Sequence, residues 1–204
     1  YMTYRVFPFL TPDALMVVAL IGAVTALGAA ICAITRNDIK AVLAYSTISQ
    51  LGYMIMALGV GAHIYAFFHL VTHAMFKACL FLCSGSVIHA MHQSLHHLDN
   101  HHTDPQDMNN MGGLKSKMPI THATMLISTL AIAGVPFFSG FLSKDGILAG
   151  TLSYYHTHHG WTIILPLAGF GAAMITAFYM FRLIFKTFYG KPKSKEIFTH
   201  IYES

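Results

Sequence analysis

Phe68-His69-Leu70-Val71-Thr72-His73-Ala74-Met75-Phe76-Lys77 sets two imidazoles and an ammonium inside an apolar stretch, about residues 63–89, long enough to cross a bilayer. At helical pitch His69, His73 and Lys77 fall at i, i+4 and i+8, so all three project from one face and cover roughly 12 Å of helix axis. An ionisable group at membrane depth is costly unless it meets water, a partner or another helix, and is by default a functional candidate. The arrangement has the shape of a proton relay, with Thr72 as a supporting hydroxyl. His-x-x-x-His could instead hold a metal, but Leu70 stands where the zinc-protease motif carries its glutamate, and Lys77 on the same face repels a cation. Imidazole titrates near neutrality, so proton transfer through the two rings and water is the better fit.

The rest of the chain has the same solvent. Of 204 residues, 55% are hydrophobic and 10% charged, with a mean hydropathy of +0.56, against roughly 25% charged in an average soluble domain. An all-α integral membrane protein is predicted, with five spans at about residues 13–34, 40–60, 63–89, 119–150 and 161–189. Residues 1–12 read as the tail of a preceding helix and a loop, so the chain is expected to be an internal fragment. The net charge of +4 does not point to nucleic acid, because the cations sort by membrane side. Arg36 and Lys40, Lys115 and Lys117, and Lys186, Lys191, Lys193 and Lys195 fall on one side, with Arg5 opposite. The positive-inside rule places the basic side, including a polar segment 191–204, in the cytoplasm or its equivalent.

Gly134-Val135-Pro136-Phe137-Phe138-Ser139-Gly140 interrupts the fourth span. Proline removes a donor and clashes with the preceding turn, and the glycines loosen the backbone, so a discontinuous helix is predicted near 134–140. Broken backbone at membrane depth is tolerated where it is buried or lines a polar cavity, which is where transporters build ion sites. Gly134 and Pro136 are therefore supporting candidates, and Ser143-Lys144-Asp145 follows at once. Desolvation disfavours the charged form of a buried lysine and a nearby carboxylate favours it, so Lys144 can exchange protons, with Ser143 and Asp145 in support. Adjacent helical residues point about 100° apart, so Asp145 need not be its partner.

The second span carries Tyr45, Ser46, Thr47, Ser49, Gln50 and Tyr53, too polar for lipid on every side, and belongs inside a bundle; Tyr45 is a further supporting candidate. The first is rich in Gly and Ala, which permits close helix approach. Thr11 or Asp13 can cap it, and Asn37-Asp38 can cap the second. Cys79 and Cys83 share a helix face without disulfide geometry and read as packing residues. A histidine-rich loop is expected over 90–118, with His92, His96, His97, His101 and His102. It lacks cysteines and regular ligand pairs and is read as exposed, with no metal.

Asp38-Ile39-Lys40-Ala41-Val42-Leu43-Ala44-Tyr45-Ser46-Thr47-Ile48-Ser49-Gln50-Leu51-Gly52-Tyr53-Met54 resembles the signature of the antiporter-like subunits of respiratory complex I and their Mrp-type relatives. The run from His69 to Ala90, with Met111-Gly112-Gly113-Leu114 and Gly140-Phe141-Leu142-Ser143-Lys144-Asp145, resembles the distal member, subunit L in bacteria and subunit 5 in mitochondria. The resemblance implies the second of two inverted five-helix repeats. In it Lys144 would be the channel lysine, His69 and His73 relay histidines and Lys77 a central-axis group. It implies proton translocation coupled to quinone reduction, with the remainder of the subunit and other membrane subunits as partners. Flavin (FMN), iron-sulfur clusters and quinone would sit in partner subunits, since no such motif, nor a nicotinamide motif, occurs here. A bacterial inner membrane, or the mitochondrial inner membrane, is the expected setting. An Mrp-type sodium/proton antiporter subunit and a non-transporting helical scaffold are the competing readings.

Overall fold

The computed structural model describes residues 1–100 and 102–203, which are helical apart from turns and one isolated bridge between Asp38 and Asp107. His101, expected in the histidine-rich loop, lies outside the described residues. The helices are α1 (Met2–Val6), α2 (Pro12–Thr35), α3 (Ile39–Gly59), α4 (His63–His97), α5 (Pro119–Ala133), α6 (Ser139–His158), α7 (Ile164–Phe188) and α8 (Lys195–Thr199). Among the described residues, α2, α3, α4 and the stretch Gly160–Phe188 are long and apolar enough to cross a membrane, and α5 is a shorter apolar helix. The fold is that of an all-helical membrane protein.

Local chemistry starts the first two spans where expected. Thr11 caps α2 by accepting from the Ala14 amide at 3.3 Å, with Pro12 in the first turn. Asp38 caps α3 by accepting from the Lys40 and Ala41 amides at 2.7 and 3.1 Å. The two helices then meet along a stripe of small residues: Ala19, Gly22, Ala23, Ala26, Ala30 and Ala33 are buried on α2 at helical spacing. A Cβ on Gly52 of α3 would stand 2.6 Å from the Ala26 nitrogen, so only glycine admits this approach. Ser49 uses it to donate to the Ala26 carbonyl at 2.8 Å. The opposite face of α2 exposes Val17, Ile21, Val24 and Ile31, the composition a lipid-facing surface requires.

Three expectations need adjustment. First, α4 does not end near 89 but continues to His97, so His92, His96 and His97 stand on a helix and not in a loop. Its 35 residues span roughly 52 Å, longer than the ~30 Å hydrocarbon core, so it projects beyond the membrane. Val87, Met91 and Leu95 repeat every four residues and bury against Met108, Met111, Leu114, Ile197 and Ile201, which holds the extension helical. Second, the segment 191–204 is not simply polar: α8 lies within it, and Ile197 and Ile201 are part of the core. Third, α6 continues past 150 to His158.

The basic regions converge at one end. Arg182, a further cation at this end, donates to the Arg36 carbonyl at 2.8 Å and to Asn37 Oδ1 at 2.6 Å. Lys186 reaches Asn37 at 3.4 Å and Asn109 at 2.6 Å, while backbone bonds tie Ile39 to Gln106 and Met108 to Asn37. Lys193 donates to Asn110, and Lys117 to the Thr199 carbonyl. At the same end Glu203 accepts from the Ile120 and Thr121 amides, capping the first turn of α5 from far along the chain.

Candidate functional site

The discontinuity predicted at 134–140 is present between α5 and α6. Gly134 ends α5 in the left-handed conformation, φ +79°, its amide donating to the Ala131 carbonyl and the Val135 amide to the Leu130 carbonyl. Gly140 near the start of α6 lies so close to the Ala131 carbonyl that any Cβ there would collide with it. The two helices are thus pressed together at the break, while Pro136 and Phe137 are exposed and Phe137 takes φ +72°, a strained value for a residue with a side chain. Gly134 thus sets the backbone of the break, and Pro136 lies exposed within it.

That geometry seats Lys144. It is 4% exposed, its stem runs beside Gly134, and its Nζ donates to the Ile132 carbonyl at 2.6 Å. The carbonyl is one left without a full set of partners where α5 stops, at the negative end of the helix dipole. Asp145 is exposed, one residue further round the helix, and Lys144 makes no ion pair among the described residues.

Lys77 is seated in the same way on another helix. It is 5% exposed, and its Nζ donates to the Leu43 carbonyl of α3 at 2.9 Å, an oxygen that also accepts from the Thr47 hydroxyl at 3.0 Å. Its Nζ stands 5.8 Å from the centroid of the Phe81 ring. Both buried lysines are thus held by backbone oxygens.

The imidazoles lie on the face predicted. His69 is fully buried and bonded at both nitrogens, Nδ1 to Ser143 Oγ at 2.8 Å and Nε2 to Gln50 Oε1 at 2.9 Å. Ser143 thereby ties α6, beside Lys144, to α4. The His73 ring stands 6.1 Å from that of His69 and edge-on to Phe76 at 5.4 Å. His73 is buried, and its Nε2 has no hydrogen-bond partner among the described residues. The Tyr53 hydroxyl is in the same condition, with its ring edge-on to His69 at 6.0 Å. A buried polar group without a partner costs roughly 1–3 kcal/mol, so both atoms are departures from the usual satisfied interior.

Two supporting candidates stand apart. Thr72 donates to the His69 carbonyl at 3.2 Å and stays with its own helix. Tyr45 is only half-buried and accepts from Arg36 at 3.3 Å, at the basic end of the bundle and away from the imidazoles. In their place stand residues that had not been singled out as site residues. Gln50 Nε2 donates to Thr176 Oγ1 at 3.3 Å, and Tyr179 donates to Ser46 Oγ at 2.9 Å with Thr176 Oγ1 at 3.3 Å. Ser46, Gln50 and Tyr53 follow one another at helical spacing on α3, and that periodicity was the available signal.

No group of three or more His, Cys, Asp or Glu among the described residues is placed to hold a metal ion. His92 and His96 face a shallow groove with Asn100 and Thr103, and His97 stacks on His200 at 6.0 Å. Cys79 and Cys83 are free thiols with sulfurs 4.0 Å apart.

Residues 1–176 match the family described as NADH:quinone oxidoreductase/Mrp antiporter, TM. The chain is 50% identical over 193 residues to NAD(P)H-quinone oxidoreductase chain 5 of Picosynechococcus sp., covering 94% of this chain and 28% of that protein. It is 49% identical over 193 residues to NADH-quinone oxidoreductase subunit L of Rhodobacter capsulatus, covering 89% and 25%. To F(420)H(2) dehydrogenase subunit L of Methanosarcina mazei it is 46% identical over 208 residues, covering 95% and 29%. The chain therefore spans little more than a quarter of the length of these relatives. In the structure of the Mrp complex from Dietzia sp. DQ12-45-1b, one chain shares the fold with a TM-score of 0.75 at 22% identity, over 89% of this chain and 31% of that one.

Proposed function

The chain belongs to the NADH:quinone oxidoreductase/Mrp antiporter transmembrane family, and on that premise we propose that it is the second helical repeat of a subunit L-type protein that moves protons through a buried lysine and histidine relay. Lys144, His69, His73 and Lys77 carry the protons. Ser143 links the imidazole to the helix bearing Lys144, and the break at Gly134 to Gly140 supplies the lysine's seat. The observation that carries this reading is the pairing of both buried lysines with backbone oxygens. A carbonyl accepts from an ammonium and, more weakly, from a neutral amine, so either lysine can gain or lose a proton without breaking an ion pair or stranding a carboxylate. A proton arriving at one group raises the cost of charge on its neighbours, so the cluster titrates jointly, and displacement of charge along it is the transport step.

The functional unit is the repeat, about residues 13–190, within a longer subunit. It would work beside other antiporter-like subunits in a bacterial inner membrane, the basic end facing the cytoplasm. Flavin, iron-sulfur clusters and quinone would reside in partner subunits that drive the relay by quinone reduction. The likeness to a chain of an Mrp complex keeps a second reading in view, sodium/proton exchange without redox coupling. The two separate in vesicles holding the complete assembly. Proton uptake that starts with NADH and ignores sodium is the expected result. Uptake that requires a sodium gradient and ignores NADH selects the antiporter. A non-transporting scaffold predicts that Lys77→Met changes assembly alone. Normal assembly with lost uptake is expected instead.

A further inference from the structure

His69 lies at the centre of a hydrogen-bond chain whose donors and acceptors can be assigned one after another, starting from the far end. Thr176 commits its hydroxyl proton to the Ala172 carbonyl of its own helix at 2.7 Å. It can therefore offer Gln50 only a lone pair, and the Gln50 amide nitrogen donates to it at 3.3 Å. That fixes the amide orientation and turns Oε1 toward His69 Nε2 at 2.9 Å. An amide oxygen only accepts, so the proton on a neutral His69 sits on Nε2. Nδ1 then carries the lone pair and accepts from the Ser143 hydroxyl at 2.8 Å, a shorter contact than the 3.2 Å between that hydroxyl and the Gly140 carbonyl.

We infer that Gln50 is a positioning residue that holds His69 as the Nε2–H tautomer and closes that nitrogen to proton exchange, so that His69 takes up and returns protons only at Nδ1, through Ser143. The inference rests on the relay proposed above and gives His69 a one-sided part in it. An imidazole passes a proton across itself only if one nitrogen accepts while the other releases, and a neutral amide cannot take the released proton onward. When Ser143 Oγ receives a proton and hands its own to Nδ1, His69 becomes an imidazolium still donating from Nε2 to Gln50. The charge leaves only by the return of the Nδ1 proton. His69 therefore stores a proton on the Lys144 side and does not conduct toward α3 and α7. Onward transfer falls to His73, whose Nε2 is buried with no partner among the described residues, and to water. Thr176 shares the positioning role by orienting the amide.

The test is nitrogen-15 NMR of the full-length subunit in its complex in membranes, with labelled histidine and the His69 signals assigned by their loss in His69→Gln. The expected wild-type spectrum has a neutral His69 protonated at Nε2. Gln50→Leu removes the acceptor and should shift the population toward Nδ1–H or a mixture. Thr176→Val, nearly the same shape and therefore the safer variant for folding, frees the amide to rotate and should give a mixture. Gln50→Glu, which still accepts, should keep a proton on Nε2. A wild-type Nδ1–H tautomer, or an Nε2–H tautomer unchanged in both Gln50→Leu and Thr176→Val, overturns the inference. Transport assayed in the same membranes keeps the two proposals apart. Uptake surviving His69→Gln contradicts the relay whatever the tautomer, and uptake lost with a wild-type Nδ1–H ring contradicts only the role of Gln50.

Discussion

Each buried lysine donates to a single backbone oxygen of a neighbouring helix segment, Lys144 to Ile132 and Lys77 to Leu43. Arginine could satisfy such an oxygen too, but its guanidinium stays charged across the physiological range and cannot cycle. Lys77→Arg is therefore expected to keep the complex assembled and to abolish proton uptake by about the same margin as Lys77→Met, read in vesicles against assembled subunit. Ser143→Ala should slow uptake by roughly 10²-fold, the low end of what a positioned proton-transfer group contributes, while leaving the helices in place. At this scale the sequence already singled out His69, His73, Lys77 and Lys144, ionisable residues in apolar spans, and the structure finds all four buried. Gln50 and Thr176 did not, because an uncharged polar residue in a membrane helix is as often packing as machinery. Only the order of donors and acceptors, which requires atoms, separates the two. Asp145 is exposed while Lys144 beside it is buried, as the 100° step between helical neighbours allowed.

The helices owe their positions to small residues, and substitution there separates packing from propensity. A Cβ at Gly140 meets the Ala131 carbonyl, whereas one at Gly85 of α4 meets nothing within 4 Å. Gly140→Ala should push α6 off α5, lengthen the Lys144 contact, and cost about 1–3 kcal/mol by overpacking together with loss of uptake. Gly85→Ala should stabilise by up to about 1 kcal/mol with transport unchanged. Thermal unfolding of the detergent-solubilised complete subunit, beside uptake in vesicles, distinguishes them. Asp38→Ala removes two amide partners and should cost about 0.5–2 kcal/mol in the same measurement. The positions of α2, α3 and the stretch Gly160–Phe188 were readable from hydropathy, and the break from Gly134, Pro136 and Gly140. The length of α4 was not, because hydropathy ends where the membrane does. The stripe Val87, Met91 and Leu95 carries the helix on against residues that a window along the chain does not see.

Across the molecule the basic end is a clasp of three distant segments, and Glu203 within it has a definite pH signature. Burial alone would raise the Glu203 carboxyl, but the Thr121 and Ile120 amides that donate to it outweigh this and hold it below the ordinary carboxylate range. Because the folded value is the lower one, the stabilisation is present above the unfolded carboxylate value and is lost as pH falls through the folded one. Limited proteolysis of the 191–203 segment should therefore accelerate on acidification, and Glu203→Gln should be susceptible at neutral pH with little further change. The whole-molecule claim is that charge crosses the membrane through the two lysine seats, and the number of protons moved per electron tests it most directly. In vesicles carrying the complete complex, Lys144→Ala and Lys77→Ala should each lower that ratio while the complex remains assembled. An unchanged ratio with unchanged turnover in both variants would contradict the claim.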